Sequence, residues 1–345
     1  MADSWLRHVD AYTAKDKDED FYGAALNALA QSVNATGDPT VQKMVGGMGD
    51  YLTTEDNSVR ARALLLIAEV MALPSAKTPP QDLHHLAEFF WSRLADWPSL
   101  KGAARGCLCL LNKPALAPAD AAAIAAALLD ELHVQSLSVS DRLLCLDLFK
   151  SILAVHPSAV AGIEDAFVQG VVAAVDGEKD PRCLVLAFEI MALLPAALHG
   201  QAAGEEALRK NHDEMFDVLT CYFPVSFTPP PGDKRHITRG DLAAPLARAM
   251  AATPLYAPAC IALAIEKLGA AQESARVDAL EVLALCAESF GPSVVQEYAA
   301  PVWAALRGAL VAPDESGAPE AGASESAVAR AAAACLSRAV RATWR

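Results

Sequence analysis

The stretch Asn57-Ser58-Val59-Arg60-Ala61-Arg62-Ala63-Leu64 opens an apolar helix directly behind a polar turn. Comparable openings lie at residues 99–104, 139–144 and 179–184. The cations of the four openings stand at positions 60, 101, 142 and 182, so the steps between them are 41, 41 and 40 residues. A period of about 40 residues is typical of two-helix HEAT units. The sequence therefore predicts a chain of repeated helix pairs.

Each opening leads into a helix with one apolar face. In the first of them the apolar residues step by four, four and three: Val59, Ala63, Ile67 and Val70. This is the period of an amphipathic helix, and no segment of similar length alternates with a period of two. One helix pair cannot bury such a face alone, so neighbouring pairs must stack into a common core. We predict an all-α protein, an α-solenoid of HEAT-like helix pairs that forms a single domain over residues 1–345.

Four arginines are interpreted as structural, three at these openings and one at a later opening of the same kind over residues 274–280: Arg60, Arg142, Arg182 and Arg276. The last of them lies 94 residues after Arg182, which leaves room for one unit enlarged by an insertion. In this interpretation the stem of each arginine covers the apolar seam and its charge reaches an aspartate of the adjoining turn. The alternative is a ladder of cations that binds a ligand, although repeat proteins commonly place such cations for structural reasons.

Two segments interrupt the pattern. The first, residues 222–241, contains three consecutive prolines at positions 229–231, which exclude a helix and impose an extended path. We call it the strap and predict that it links two repeat units. The second, residues 313–326, is rich in Gly, Ser, Pro and acidic residues, which indicates a flexible insertion.

The strap carries three aromatic residues for which two hypotheses stand open. In the first, Phe223 and Phe227 are buried in the groove between helices and have a structural role. In the second, Tyr222, Lys234 and Arg235 stay exposed and form a protein-interaction surface, because rigid aromatic and basic side chains make efficient anchors for a partner.

Composition and charge exclude several classes of protein. The chain has 345 residues, of which 53% are hydrophobic, and a formal net charge of −14, which disfavours direct binding to nucleic acid. The longest uninterrupted apolar run has nine residues, residues 121–129, whereas a membrane helix needs about 20. No signal-peptide pattern opens the sequence. We expect an intracellular protein without direct nucleic-acid or membrane partners.

No residue pattern points to catalysis, a metal or a cofactor. Metalloprotease, phosphate-loop and nucleophile-elbow motifs are absent from the sequence. The eight cysteines contain no C-x-x-C and lie mostly among Leu, Ala and Val, as buried reduced thiols do. His84 and His85 are adjacent and cannot both face one ion from a helix. We predict that the protein is not an enzyme and has no catalytic residues, metal ligands or cofactor.

Several stretches carry a resemblance to a known family. Residues 48–56 run into Val59-Arg60-Ala61-Arg62, and they are followed by residues 175–182, 216–238, 252–258 and 265–268. In this order and spacing they are similar to the amino-terminal region of the methyl methanesulfonate sensitivity protein family. That family comprises HEAT-repeat adaptors of the cytosolic iron–sulfur assembly targeting complex, first named for nucleotide excision repair and transcription.

The resemblance implies a function that the residues alone do not. It implies an adaptor that delivers apo-proteins, many of them DNA-repair and replication enzymes, to the machinery that inserts their iron–sulfur clusters. The implied partners are a WD40 propeller protein and a small acidic-pocket protein of the targeting complex, together with apo iron–sulfur clients, in the cytoplasm and nucleus. The alternative is a generic HEAT scaffold for transport or phosphatase assembly, which would not require the Tyr222-Phe223-Pro224 strap.

Overall fold

The computed structural model describes residues 5–74, 76, 78–229, 232, 237–311 and 327–343. Within these residues the chain forms seventeen α-helices, a few short 3-10 turns and no strand. The prediction of an all-α fold is confirmed. The chain divides into two compact units, residues 1–170 (unit 1) and residues 171–345 (unit 2). The prediction of a single solenoid over residues 1–345 stays a prediction.

The helices of unit 1 pack as successive pairs. Helices α5, α7 and α9 contact one another in order along one layer, and α6 and α8 contact each other along the other. Helices α6 and α7 form one pair, and α8 and α9 form the next. The bounds are α1 (Leu6–Thr13), α2 (Glu19–Thr36), α3 (Val41–Gly47), α4 (Gly49–Leu52), α5 (Asn57–Met71), α6 (Leu83–Trp91), α7 (Leu100–Leu111), α8 (Pro118–Glu131) and α9 (Val139–Val155), before α10 (Glu164–Val175) crosses the division between the units.

Unit 2 repeats this arrangement. Helices α11, α13, α15 and α17 contact one another in order, while α12, α14 and α16 lie between them in the sequence and pack beside them. The bounds are α11 (Pro181–Leu198), α12 (Ala202–Thr220), α13 (Arg239–Met250), α14 (Ala257–Leu268), α15 (Glu273–Ser289), α16 (Pro292–Val311) and α17 (Ala327–Thr343). Stacked helix pairs in each unit confirm the HEAT-like solenoid class.

Three of the four polar turns that mark the repeat provide side-chain helix caps. The Asp56 carboxylate accepts hydrogen bonds from the backbone N–H groups of Ser58 and Val59, at the start of α5. The Ser138 hydroxyl accepts one at the start of α9, and the Asp180 carboxylate does so at the start of α11. Such caps satisfy backbone donors that have no partner within the helix. The polar opening is therefore an N-cap at α5, α9 and α11, whereas Ser99 makes no side-chain cap at the start of α7.

Helix α11 has the length and composition of a membrane-crossing segment. It has 18 residues with a mean hydropathy of 1.7, and only Arg182 and Glu189 in it are charged. Helix α13 together with residues 254–268 passes the same test, although this pair is bent by 90°. Half of the α11 segment is buried inside the protein, as in the core helix of a soluble protein. The expectation of no membrane helix considered only uninterrupted apolar runs. Arg182 and Glu189 interrupt the apolar run in α11, so that criterion did not detect this helix.

Two glycines allow α7 to approach its neighbours closely. A Cβ atom on Gly102 would lie 2.6 Å from the backbone nitrogen of Leu65 in α5, and one on Gly106 would lie 2.1 Å from the ring of Phe90. Real Cβ atoms do not show such short contacts. The contact of α7 with α5 therefore depends on the absence of a side chain at Gly102, and its contact with α6 depends on the absence of one at Gly106.

Candidate functional site: the repeat cations and the strap

Arg60 joins two successive repeats of unit 1. Its Nε atom lies 2.7 Å from Oδ2 of Asp96 and its Nη2 atom lies 2.9 Å from Oδ1, so the pair is bidentate. Asp96 belongs to the turn before α7, and the Arg60 Nη1 atom also donates to the carbonyl oxygen of Thr54. The hydrogen bond from Arg60 lowers the pKa of the Asp96 carboxyl. The side chain thus makes the contact expected of a structural cation.

Arg142 and Arg182 make contacts at the start of their own helices. Arg142 donates to the carbonyl oxygen of Leu137, in the turn before its own helix. Arg182 pairs with Asp180 at its own N-cap, with both nitrogen-to-oxygen distances at 2.9 Å. The Nε atom of Arg276 is buried without a hydrogen-bond partner among the described residues. Arg60 thus reaches an aspartate in the turn of the next repeat, and Arg182 reaches one in the turn before its own helix. Arg142 also bonds to the turn before its helix.

Arg239 is the cation that sequence reasoning missed. It is the first residue of α13, and its Nη2 atom forms an ion pair with the buried carboxylate of Asp278 in α15. It lies 57 residues after Arg182 and 37 residues before Arg276, so the enlarged unit falls between α12 and α13. A search for helix openings spaced by about 40 residues does not find Arg239, because the strap adds residues between α12 and α13.

Arg239 and Asp278 also hold the strap in place. The Arg239 Nε atom donates to the carbonyl oxygen of Val225 over 3.0 Å. The Asp278 carboxylate accepts a hydrogen bond from the backbone N–H group of Val225. Burial raises the pKa of the Asp278 carboxyl. Both polar groups of the Val225 backbone are thereby engaged. The strap is fixed to the helix layer formed by α13 and α15.

Tyr222 anchors the start of the strap within unit 2. Its hydroxyl lies 3.1 Å from the carbonyl oxygens of both Val175 and Glu178, to which it donates. Its ring packs edge-on against Phe188, with 5.4 Å between the ring centroids. Partial burial raises the pKa of Tyr222 to about 12. The side chain is half-buried, whereas the interaction hypothesis expected it to be exposed, because its hydroxyl satisfies carbonyl groups at the end of α10 and in the following turn.

The strap buries alternate residues. Phe223 and Val225 are each 8% exposed, Phe227 is half-buried, and Ser226 and Thr228 point outward and are exposed. Alternation of this kind is expected of an extended backbone. The structural hypothesis named Phe223 and Phe227, and the structure places Val225 rather than Phe227 as the second buried side chain.

Lys234 and Arg235 lie outside the described residues. Their role in binding a partner together with Tyr222 therefore stays a prediction. The described part of the strap offers an outward face of small and polar residues, held rigidly from behind by Tyr222 and Arg239.

Among the described residues no group of three or more His, Cys, Asp or Glu side chains could hold a metal ion. Cys107 is fully buried in α7, whereas Cys109, two residues later, is only half-buried and its Sγ atom lies 4.0 Å from the carbonyl oxygen of Ala68. The two thiols point in different directions, as expected for residues two apart on a helix.

Comparison with known proteins identifies the family. The family model MMS19_N, described as a Dos2-interacting transcription regulator of RNA-Pol-II, matches residues 45–312, more than half of the chain. The chain belongs to the MMS19 family. The MMS19 nucleotide excision repair protein homolog of Arabidopsis thaliana is 34% identical over 308 residues, which cover 88% of this chain and 27% of that protein. The human homolog is 32% identical over 277 residues, which cover 79% of this chain and 26% of that protein.

The chain spans about a quarter of the length of these MMS19 relatives. Among solved structures, the karyopherin Kap121p bound to Nup53p is similar over 99% of this chain and 38% of that chain, with a TM-score of 0.48 and 10% sequence identity. A likeness of this degree carries no functional information. The strap residues quoted for the family resemblance lie within the matched region, so the strap belongs to the MMS19 part of the chain.

Proposed function

We propose that this MMS19-family chain is a non-enzymatic adaptor that delivers apo-proteins to the cytosolic iron–sulfur cluster assembly machinery. The observation that carries the proposal is the family match over residues 45–312. The relatives are named for nucleotide excision repair and the family description names transcription, so the clients in this proposal are enzymes of DNA repair, replication and transcription. Stacked helix pairs support it, because repeat proteins use such surfaces to bind other proteins.

The partners in this proposal are proteins. They are the WD40 propeller subunit and the small acidic-pocket subunit of the targeting complex, and the apo forms of iron–sulfur clients, in the cytoplasm and nucleus. A net charge of −14 opposes a direct role on DNA, because such a charge repels the phosphate backbone. The adaptor would then act on DNA metabolism through the enzymes that it helps to mature.

The experiment is affinity capture of the tagged chain from cells, followed by mass spectrometry of the bound proteins. Capture should be repeated after iron depletion, which raises the fraction of clients that lack a cluster. The proposal expects iron–sulfur proteins in the bound fraction, enriched several-fold after depletion. Transport cargo or phosphatase subunits, with no enrichment of iron–sulfur proteins, would instead favour the generic HEAT scaffold.

The strap can be tested in the same assay. Lys234→Ala combined with Arg235→Ala should weaken client capture and leave the melting temperature unchanged. Tyr222 is kept out of this variant, because its hydroxyl is bonded within unit 2 and its loss would mix stability with binding. Arg209→Ala combined with Lys210→Ala is the matched control, since it removes two adjacent cations at an exposed place on α12. Equal losses in both variants would indicate a general charge effect and remove the strap from the proposal.

A further inference from the structure

Three cysteines of unit 2 converge from three different helices. Cys260 lies on α14, Cys286 on α15 and Cys335 on α17, and each is at most 3% exposed. All three are free thiols. The Sγ atoms of Cys260 and Cys286 are 3.7 Å apart, which is van der Waals contact between sulfur atoms. The two sulfur atoms of a disulfide are about 2.05 Å apart. Cys260 and Cys286 are therefore near enough for a small movement to bring their sulfur atoms to bonding distance.

A pocket of about 220 Å³ leads from solvent to this group of thiols. Helices α15, α16 and α17 supply most of its apolar lining, and two of the lining side chains, Trp303 and Val340, are 53% and 55% exposed. Cys286 and Cys335 line the pocket, whereas Cys260 is not among its lining residues. A small uncharged oxidant that enters the pocket therefore meets Cys286 before it meets Cys260.

We propose that Cys260 and Cys286 are an oxidation site at which hydrogen peroxide forms a disulfide between α14 and α15. Cys286 is the thiol that reacts with the peroxide, and Cys260 is the thiol that resolves the product. The assignment rests on the short distance between the two sulfur atoms and on the pocket, which Cys286 lines and Cys260 does not. It goes beyond the adaptor function and does not depend on it.

The chemistry balances in two steps. The Cys286 sulfur attacks one peroxide oxygen, so that a sulfur–oxygen bond forms, the oxygen–oxygen bond breaks, and the hydroxide that leaves takes the thiol proton as water. The Cys260 sulfur then attacks the Cys286 sulfur, so that the disulfide forms, the sulfur–oxygen bond breaks, and a second water leaves with the Cys260 proton. Two thiols lose two electrons, and one peroxide is reduced to two waters.

The buried position sets the speed of the reaction. Burial, together with the contact to Cys260, raises the pKa of the Cys286 thiol well above its ordinary value. The thiol therefore predominates over the reactive thiolate at neutral pH, and reaction with peroxide is slow. Cys221 is exposed and provides an internal reference for oxidation. We expect Cys221 to react first and the pair in unit 2 to follow.

The product would join the two helices of one repeat. Helices α14 and α15 already contact each other, so the bond closes on the native arrangement and preserves the fold. The bond would constrain the unfolded chain and thereby stabilise this repeat. We therefore expect the melting temperature of the oxidised protein to rise by a few degrees and to return to its former value after reduction.

Peptide mapping of the folded chain tests the proposal. The protein is treated with hydrogen peroxide, its remaining thiols are blocked with an alkylating agent in denaturant, and the digest is examined by mass spectrometry. A cross-linked peptide pair containing Cys260 and Cys286, lost on treatment with a dithiol, is the expected result. The same pair should form in Cys221→Ser and Cys335→Ser variants and disappear in Cys260→Ser.

Three results would overturn the proposal. The first is a bond between Cys286 and Cys335 in place of the predicted one. The second is oxidation of Cys286 to its sulfinic acid without a disulfide. The third is a pair that stays fully reduced after Cys221 is completely oxidised under peroxide excess. Because the map of the unaltered protein distinguishes these results, the test holds even if Cys260→Ser fails to fold.

Discussion

At Arg60 one side chain connects two repeats through a bidentate contact with Asp96. A lysine keeps the charge and loses the planar fork, so it offers a point charge to one oxygen. Arg60→Lys should therefore lower the free energy of unfolding by about 1–2 kcal/mol, which urea unfolding can measure. Lys101, the exposed cation of the next repeat, is the control, and Lys101→Ala should change stability by less than about 0.5 kcal/mol. Equal losses in the two variants would contradict the connection between repeats.

His84 provides a pH-dependent contact in the same unit. Its Nδ1 atom lies 2.7 Å from the buried Asp120 carboxylate of α8. The hydrogen bond and the charge of Asp120 raise the pKa of His84 above its ordinary value of 6.5. A raised pKa in the folded state means that the stabilisation is complete below about pH 6.5 and is lost as the pH rises through the folded-state value.

His84→Gln should remove this pH dependence. The urea midpoint of the unaltered chain should fall from pH 6 to pH 8 by more than that of the variant, with the difference attributable to Asp120. His85→Gln, at the neighbouring exposed position, serves as the control and should retain the fall. Parallel midpoints for the unaltered chain and His84→Gln across this range would refute the contact as a source of stability.

The positions of some single residues could be predicted from the sequence, whereas those of others could not. The regular spacing could locate Arg60, because α5 begins with a capped turn at a repeat interval. It could not locate Arg239, because the strap delays α13. The half-buried position of Tyr222 was also hidden. Its acceptors, Val175 and Glu178, precede it by 47 and 44 residues, and a hydrogen bond over such a separation leaves no local pattern.

Among the elements, the contact between α5 and α7 is sensitive to added volume. A Cβ on Gly102 would meet the backbone of Leu65, which cannot rotate away as a side chain can. Gly102→Ala should therefore destabilise the protein by about 1–3 kcal/mol in thermal or urea unfolding, despite the higher helix propensity of alanine. Gly23 lies inside α2, where a Cβ would have no neighbouring atom within 4 Å, and Gly23→Ala should be neutral or stabilising. Destabilisation by both substitutions would mean that the loss at Gly102 does not come from its close approach to Leu65.

The strap should show unequal contributions from its two phenylalanines. Phe223 is buried, so Phe223→Ala should cost about 3–5 kcal/mol of unfolding free energy. Phe227 is only half-buried, and Phe227→Ala should cost clearly less. Urea unfolding of the two variants measures the difference. Equal costs would mean that Phe227 is packed as tightly as Phe223. This is what the structural hypothesis drawn from the sequence expected.

The elements themselves were accessible from the sequence, whereas the packing of the strap was not. Capped openings and apolar stripes are local features, and the helices that begin at Asn57, Val139 and Pro181 follow from them. The choice of Val225 over Phe227 for burial depends on Arg239 and Asp278, which fix the backbone from the far side. The predicted insertion at residues 313–326 lies outside the described residues and stays a prediction.

For the whole molecule we predict a colourless protein. An iron–sulfur cluster needs about four thiolates at one site, and the described residues contain no group of side chains that could hold a metal. Protein purified without oxygen and treated with iron and sulfide should therefore show no cluster absorption after desalting. A stable brown product whose colour is lost in Cys107→Ser combined with Cys109→Ser would contradict this prediction and change the proposed role from adaptor to cluster carrier.

The division into two units is a property of the whole chain that local patterns did not reveal. The division falls at residue 170, inside α10, where the sequence shows no proline-rich or glycine-rich linker. The predicted class of fold nevertheless holds within each unit, because stacking depends on neighbouring pairs only. Repeat spacing therefore predicts that each helix pair packs on the next pair, but it does not predict where the chain divides into two units.

The position of the strap between the two helices of one pair has a consequence for how this chain can vary. Helices α11, α13 and α15 remain in direct succession although the strap lengthens the connection between α12 and α13. Length can thus be added at a turn while the layer beneath keeps its order, and the cost of a longer loop grows only slowly with its length. Evolution can alter such a turn by insertion or deletion without redesigning a core, and a protein engineer can use it as a place to install a new binding segment.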